Sequence, residues 1–195
     1  MGENLLLLLT APRLAVRRLM PGQPVGLALF VLFFAQISAS AAYHLAMRGS
    51  GSLAAIAHIM LMGLVTLIGV FAGTAALHLF ATLFGGRGDP GQLLFALMTG
   101  DAPWLLAAPA MLAALGVSIW HPGYYLPLLF VIMVGLSVWS VGLKTYSVAA
   151  LYGLSGGRAL FVFFGGYGSV VLLSLAAMMT VPVAWLVWIS VLVSK

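Results

Sequence analysis

The sequence predicts an all-α integral membrane protein: a bundle of five transmembrane helices with a cytoplasmic N-terminus and the C-terminus outside. Of the 195 residues, 64% are hydrophobic and only 6% are charged, whereas an average soluble domain is about 25% charged. The apolar runs are long and unbroken, which favours helices over the alternating strands, each of about ten residues, of a membrane barrel. Most basic residues fall on one side of the predicted membrane, and this asymmetry indicates the orientation of the chain across it.

Runs of about 20 apolar residues, the length that crosses a bilayer as a helix, define the predicted spans. Turn-forming residues bound them, such as Pro24 before the first span and Gly49 to Gly51 after it. The predicted spans are residues 25–46, 53–84, 92–119, 125–151 and 169–191. The second is longer than a bilayer requires, so we expect it to tilt, protrude or bend.

Glycines and prolines mark two irregular places within these spans. Pro103 and Pro109 predict a kink in the third span, because each removes a backbone donor. Residues 159–168 end in a glycine-rich stretch that begins at Gly165. We predict an entering turn or interfacial helix over residues 159–168, ahead of the fifth span.

Basic residues concentrate in cytoplasmic loops and so predict the orientation. With the N-terminus inside, six of the eight Lys and Arg residues fall on or near the inner face: Arg13, Arg17, Arg18, Arg87, Lys144 and Arg158. Arg48 and Lys195 fall outside. Aromatic residues cluster near the outer ends, as in an interfacial belt: Tyr43, Trp120, Tyr124, Tyr125, Trp185 and Trp188. The two signals agree.

Residues 1–24 are predicted to form a basic amphipathic leader at the inner membrane surface. Thr10, Arg13 and Arg17 share one helical face, with apolar residues away from it. Arg13, Arg17 and Arg18 are expected to bind anionic lipid head groups. A flexible basic leader is the alternative. Because the other basic residues are scattered and form no stripe, we expect membrane lipids and no nucleic acid as partners.

Asp101 is the most informative residue, because a carboxylate about ten residues into a span is unfavourable unless it is paired or faces an aqueous cavity. Counting about 1.5 Å per residue from the inner ends places Asp101, Lys144 and His78 in the inner half of the membrane. We predict a polar intramembrane cluster of these three residues with Tyr146. Two interpretations stay open: a proton or ion relay, or an ion pair that keeps helix register and neutralises two buried charges.

The chain offers little for catalysis. It has three acidic residues and no cysteine, which removes thiolate metal sites, thiol nucleophiles and nearly all paired-carboxylate chemistry. His44, His58 and His121 lie near the outer side, and histidines on facing helices can ligate haem or a metal. None has the i, i+4 spacing of a ligand pair along one helix. We therefore predict no enzyme activity, no catalytic residue, no cofactor and no metal site.

Small residues on the spans predict close helix packing. Gly69 and Gly73 form a G-x-x-x-G motif in the second span, and Ala35 and Ala39 provide a small-residue face on the first. Such faces bring helices into close contact within one bundle or with partner proteins, and the spacing is compatible with both.

Five sequence features follow one another in a defined order along the chain. They are Ala11-Pro12-Arg13 in the leader, the turn from Gly85 to Gly88, Asp101 with Pro103, the segment from Trp139 to Tyr152, and Arg158-Ala159-Leu160. This order resembles the YIP family of Ypt/Rab-interacting membrane proteins, in its short prokaryotic form. The resemblance implies five spans, a cytoplasmic N-terminus and no catalysis. In eukaryotic members it implies vesicle trafficking through prenylated small GTPases.

The resemblance also shapes the expected function. The eukaryotic members carry a long cytosolic N-terminal domain, whereas the short leader of this chain offers little surface for a GTPase partner. The predicted function is a non-enzymatic scaffold, assembly or accessory subunit of the prokaryotic cytoplasmic membrane that contacts lipids and other integral membrane proteins. The alternative is a small proton- or ion-coupled transporter or channel that uses Asp101, Lys144 and His78.

Overall fold

The structure, a computed structural model, describes residues 25–46 and 53–193, and every regular element in these ranges is helical. The elements are α1 (Val25–Ala46), α2 (Leu53–Leu83), α3 (Pro90–Thr99), a 3-10 helix (Ala102–Leu106), α4 (Ala107–Trp120), a 3-10 turn (Pro122–Tyr124), α5 (Tyr125–Tyr152) and α6 (Gly156–Val193). The predicted leader, with Arg13, Arg17 and Arg18, lies outside the described residues.

Five stretches of these ranges are long and apolar enough to cross a membrane. They are Val25–Leu45, Ile56–Leu83, Pro90–Trp120, Tyr125–Tyr152 and Gly156–Ala176. Large apolar side chains cover the outside of the bundle, such as Phe33, Leu64, Phe130 and Leu172. A surface of this kind is stable in lipid and unstable in water. The all-α class and the five candidate spans of a multi-pass membrane protein are confirmed.

The connections between spans are short, so consecutive spans run antiparallel and the bundle has two ends. Residues 84–89 and 153–155 join spans at one end, called the Gly86 end. Residues 121–124 lie at the other end, called the His121 end, where α1 ends and α2 begins. Asp89 caps α3 at the Gly86 end, where its Oδ1 accepts a hydrogen bond from the Gln92 backbone N–H at 2.8 Å. Gly153 ends α5 in the left-handed conformation, at φ 64°.

The helix α3 lies at the centre of the bundle, against α1, α2 and α5. Its buried residues are Leu93, Phe95, Ala96, Leu97, Met98 and Thr99. The third span is then interrupted, because α3 ends at Thr99 and a 3-10 helix that contains Pro103 precedes α4. Pro109 lies in the first turn of α4, where no backbone hydrogen bond is lost. This break places Asp101 inside the bundle, at the end of its most buried helix.

The fifth span differs from the sequence prediction. Residues 159–168 form no separate entering turn, because α6 runs without interruption from Gly156 to Val193. A Cβ atom on Gly166 would lie 2.7 Å from Leu77 Cδ2, and one on Gly165 would lie 3.0 Å from Phe80 Cε1. These glycines let α6 approach α2 closely, and this packing outweighs the low helix propensity of glycine.

Candidate functional site

An ion pair lies inside the bundle. Lys144 on α5 places its Nζ 2.6 Å from Asp101 Oδ1, and the two side chains are only 13% and 14% exposed. Ser140, one turn before Lys144 on the same helix face, donates a hydrogen bond to the same carboxylate oxygen at 3.1 Å. A Cβ atom on Gly100 would lie 2.6 Å from Lys144 Cγ. Gly100 therefore leaves the space through which the lysine reaches Asp101.

A cavity of about 210 Å³ adjoins this pair, and we call it the polar chamber. Its polar lining residues are Gln36 on α1, Thr66 on α2, and Asp101 and Trp104 at the break in the third span. Thr66 Oγ1 donates to Gln36 Oε1 at 2.9 Å, and Gln36 Nε2 donates to Ser40 Oγ at 3.2 Å. Hydrogen-bonding groups from α1, α2, the helix break and α5 thus converge inside the bundle.

His78 belongs to a different place in the fold. Its Nδ1 lies 2.6 Å from the Tyr152 hydroxyl, in a hydrogen bond between α2 and the last residue of α5. The Tyr152 side chain packs over Gly86 and Gly88: an added Cβ atom would lie 3.1 Å from a ring carbon at Gly86 and 2.9 Å from ring carbons at Gly88. The His78–Tyr152 bond therefore fastens the turn at the Gly86 end. The structure brings Asp101 and Lys144 together and does not bring His78 to them.

Tyr146 lines a lipid-facing groove between α5 and α6, together with Gly142 and Leu160. Two positions along a helix correspond to a rotation of about 200°, so Tyr146 and Lys144 leave α5 on different faces. Sequence reasoning missed Ser140, Gln36 and Thr66, which complete the polar surroundings of Asp101. The i−4 spacing of Ser140 from Lys144 was the available signal.

Three of the four predicted packing residues, Gly73, Ala35 and Ala39, face the inside of the bundle. A Cβ atom on Gly73 would lie 3.0 Å from Tyr167 Cε1, so this glycine makes room for α6, while nothing lies within 4 Å of the corresponding position on Gly69. Ala35 is buried, and both Ala35 and Ala39 line the polar chamber. The small-residue face of α1 therefore points inward, toward Asp101.

The histidines at the His121 end do not all lie together. His44 and His58 face each other across α1 and α2, with ring centres 5.3 Å apart. His121 packs instead against Tyr124, at 5.8 Å. Within residues 25–46 and 53–193, no group of three or more His, Cys, Asp or Glu side chains is placed to hold a metal ion.

Comparisons with protein-family models, with curated proteins and with solved structures find no match to this chain. The resemblance to the YIP family stays a prediction. The geometry of the bundle is therefore the basis for inferring a function.

Proposed function

We propose that this chain is a non-enzymatic accessory subunit that holds a transmembrane helix of another protein between α1 and α2. One observation carries the proposal: a cavity of about 810 Å³ opens to the outside of the bundle between these two helices. Nearly all of its lining is apolar, and Phe33, Met60 and Leu64 are exposed along it. An open apolar groove of this size gives a membrane partner a surface to pack against.

The shape of the groove suits a helix. It extends from Gly26 to Ile37 on α1 and from Ile56 to Leu67 on the antiparallel α2, which is roughly 16 Å of helix on each side at about 1.5 Å per residue. Gly26 and Gly63 line it, and nothing lies within 4 Å of a Cβ atom added at either position. Glycines facing an open groove allow the backbone of a partner helix to come close.

Polarity favours a protein partner over lipid. The hydrogen-bonded pair Gln36 and Thr66 lines the groove near the middle of α1, where phospholipids present only their hydrocarbon chains. A polar side chain of a second helix can join such a pair, and hydrogen bonds of this kind stabilise helix association in membranes. The groove therefore offers apolar packing with one polar contact near the bilayer centre.

Photo-crosslinking in native membranes tests the proposal. A photoreactive residue in place of Met60, in the groove, should yield a discrete protein adduct, whereas one in place of Phe130 on α5 should yield none; both positions are 69% exposed. Gly63→Leu should fill the groove and abolish the adduct, and Gly135→Leu, on the open surface of α5, should leave it intact. Adducts that survive Gly63→Leu, or adducts with lipid alone, would contradict the proposal.

The orientation belongs to the same proposal. Arg87 and Arg158 are both exposed at the Gly86 end, and a basic end faces the cytoplasm. We therefore propose that the N-terminus lies on the cytoplasmic side of a prokaryotic cytoplasmic membrane. Because the chain has no cysteine, single cysteines at positions 87 and 121 report the orientation cleanly. A membrane-impermeant thiol reagent applied from outside should label only position 121, and labelling of position 87 alone would reverse the orientation.

The polar chamber favours a second function, that of a small ion- or proton-coupled transporter. The third span is interrupted beside Asp101, and interrupted helices at ionisable groups form the substrate sites of many transporters. In this case the ion pair would open, and Asp101 would release Lys144 and bind the transported ion in its place. His78, bonded to Tyr152, would take no direct part in this binding of the ion to Asp101.

Ion flux into proteoliposomes tests this second function. Asp101→Asn should abolish flux, because the neutral amide can neither balance the charge of a cation nor exchange a proton, while Asp89→Asn, at the Gly86 end, should retain it. A wild-type protein that conducts neither protons nor alkali cations would exclude the transporter and leave the accessory role.

A further inference from the structure

Two histidines on different spans meet at the His121 end. His44 lies in the last turn of α1 and His58 in the second turn of α2. Their ring planes are nearly perpendicular, at 86°, with centres 5.3 Å apart. Tyr43 stacks on the His58 ring at 5.5 Å and 20°. The stacked tyrosine restricts the orientation of His58, so the two imidazoles face each other in a defined arrangement.

One ring nitrogen of this pair lacks a hydrogen bond within the part of the chain that the structure describes. His44 Nε2 is buried and finds no partner among the described residues. Burying a polar atom without a hydrogen bond is unfavourable, so such atoms in a native structure call for a physical explanation. The nitrogen of a neutral imidazole is the commonest metal ligand in proteins. A bound metal ion would satisfy this buried nitrogen.

The spacing of the two rings matches two ligands of one ion. With a metal–nitrogen bond of about 2.0–2.1 Å and the ring centre about 1.1 Å beyond the nitrogen, two imidazoles at a tetrahedral angle have centres roughly 5 Å apart. The two axial ligands of a haem lie on opposite sides of the iron, which requires a separation above about 6 Å. The observed 5.3 Å therefore fits one small ion and is too short for haem.

The donor set selects the ion. The chain has no cysteine, and within the described ranges no carboxylate joins these histidines in a metal-binding group. Met62 follows His58 by four positions, which places it one turn along the same face of α2. Two neutral imidazoles and a thioether suit monovalent copper, a soft ion, and lack the four ligands of a structural zinc site.

We infer that His44 and His58, with the Met62 thioether as third ligand, bind one monovalent copper ion. This site joins the ends of α1 and α2 and does not depend on what occupies the groove between them. It lies at the opposite end of the bundle from Asp89 and the His78–Tyr152 bond. No ligand comes from the ion pair of Asp101, so the two polar sites are separate.

Copper titration of the purified full chain in detergent tests the inference. Under reducing conditions, in competition with a chromogenic chelator of monovalent copper, the protein should bind one equivalent per chain. His44→Ala and His58→Ala should each weaken binding by at least about 100-fold, since even the loss of groups that only orient a ligand weakens metal binding by 10–100-fold. His121→Ala, which removes an exposed histidine at the same end, should leave the affinity unchanged.

X-ray absorption of the loaded protein gives an independent measurement. The wild-type spectrum should show two imidazole ligands and one sulfur, and Met62→Leu, a change that nearly conserves volume, should remove only the sulfur signal. A wild-type chain that retains no copper, or a His44/His58 double variant that binds as tightly as wild type, would overturn the site. Stronger binding of zinc than of monovalent copper, or a wild-type spectrum without sulfur, would overturn the assigned ion and ligand set.

Discussion

Asp101→Leu should lower the free energy of unfolding by about 3–5 kcal/mol, because it leaves the ammonium group of Lys144 buried without a counter-charge. The two groups lie 2.6 Å apart and are each less than 15% exposed. Lys144→Met should have an effect of similar size, since it strands the carboxylate in the same place. Unfolding in mixed micelles, followed by circular dichroism as sodium dodecyl sulfate is added, measures both changes.

The double variant Asp101→Leu/Lys144→Met measures the net contribution of the ion pair to stability, apart from the penalty of leaving one charge unpaired. Replacing a buried ion pair by apolar residues of similar size is often neutral or stabilising, so we expect it to fall within about 1 kcal/mol of wild type. Arg87→Met, an exposed change in the turn at the Gly86 end, serves as the control and should stay within about 0.5 kcal/mol of wild type. Additive losses in the double variant would show that the two side chains do not stabilise each other.

Gly166→Leu should separate α2 from α6 and lower the free energy of unfolding by about 2–3 kcal/mol, the upper part of the range for overpacked cores. A Cβ atom at this position would lie 2.7 Å from Leu77 Cδ2 and 3.2 Å from the Leu77 Cα atom. The backbone of α2 cannot yield as the end of a side chain can. The same detergent titration measures the loss.

Gly168→Leu is a matched control two residues away. Nothing lies within 4 Å of a Cβ atom at Gly168, so the larger side chain should enter lipid without a loss of stability. Both substitutions replace glycine by leucine in the same helix, so the change in helix propensity is the same for both. Equal losses in the two variants would mean that α6 does not pack on α2 through Gly166.

The spans could be predicted from the sequence because lipid imposes a simple requirement on the length and composition of each crossing segment. Each crossing needs about 20 apolar residues, and the turns need glycine, proline or charge. The start of the fifth span was misplaced for the same reason, since Gly165 and Gly166 have the composition of a turn. Whether a glycine ends a helix or permits close packing depends on the helix beside it, which local composition does not describe.

The polar cluster, too, could be predicted only in part from the sequence. Asp101 and Lys144 could be paired by their depth, because two opposite charges in lipid need each other. His78 lies in the same half of the bundle, but it is nearer the Gly86 end and leaves α2 toward Tyr152. Counting residues along a helix measures how deep a side chain lies, and it does not measure where around the bundle its helix turns that side chain.

By itself, the sequence determined that this chain is helical, that it has five apolar spans and that Asp101 requires a partner. Tertiary structure alone decided the uninterrupted sixth helix, the groove between α1 and α2, and the approach of His44 to His58. The first set depends on the transfer of residues from water to lipid, which composition and length measure. The second depends on how helices rotate and pack against one another, which is a property of pairs of helices distant in sequence.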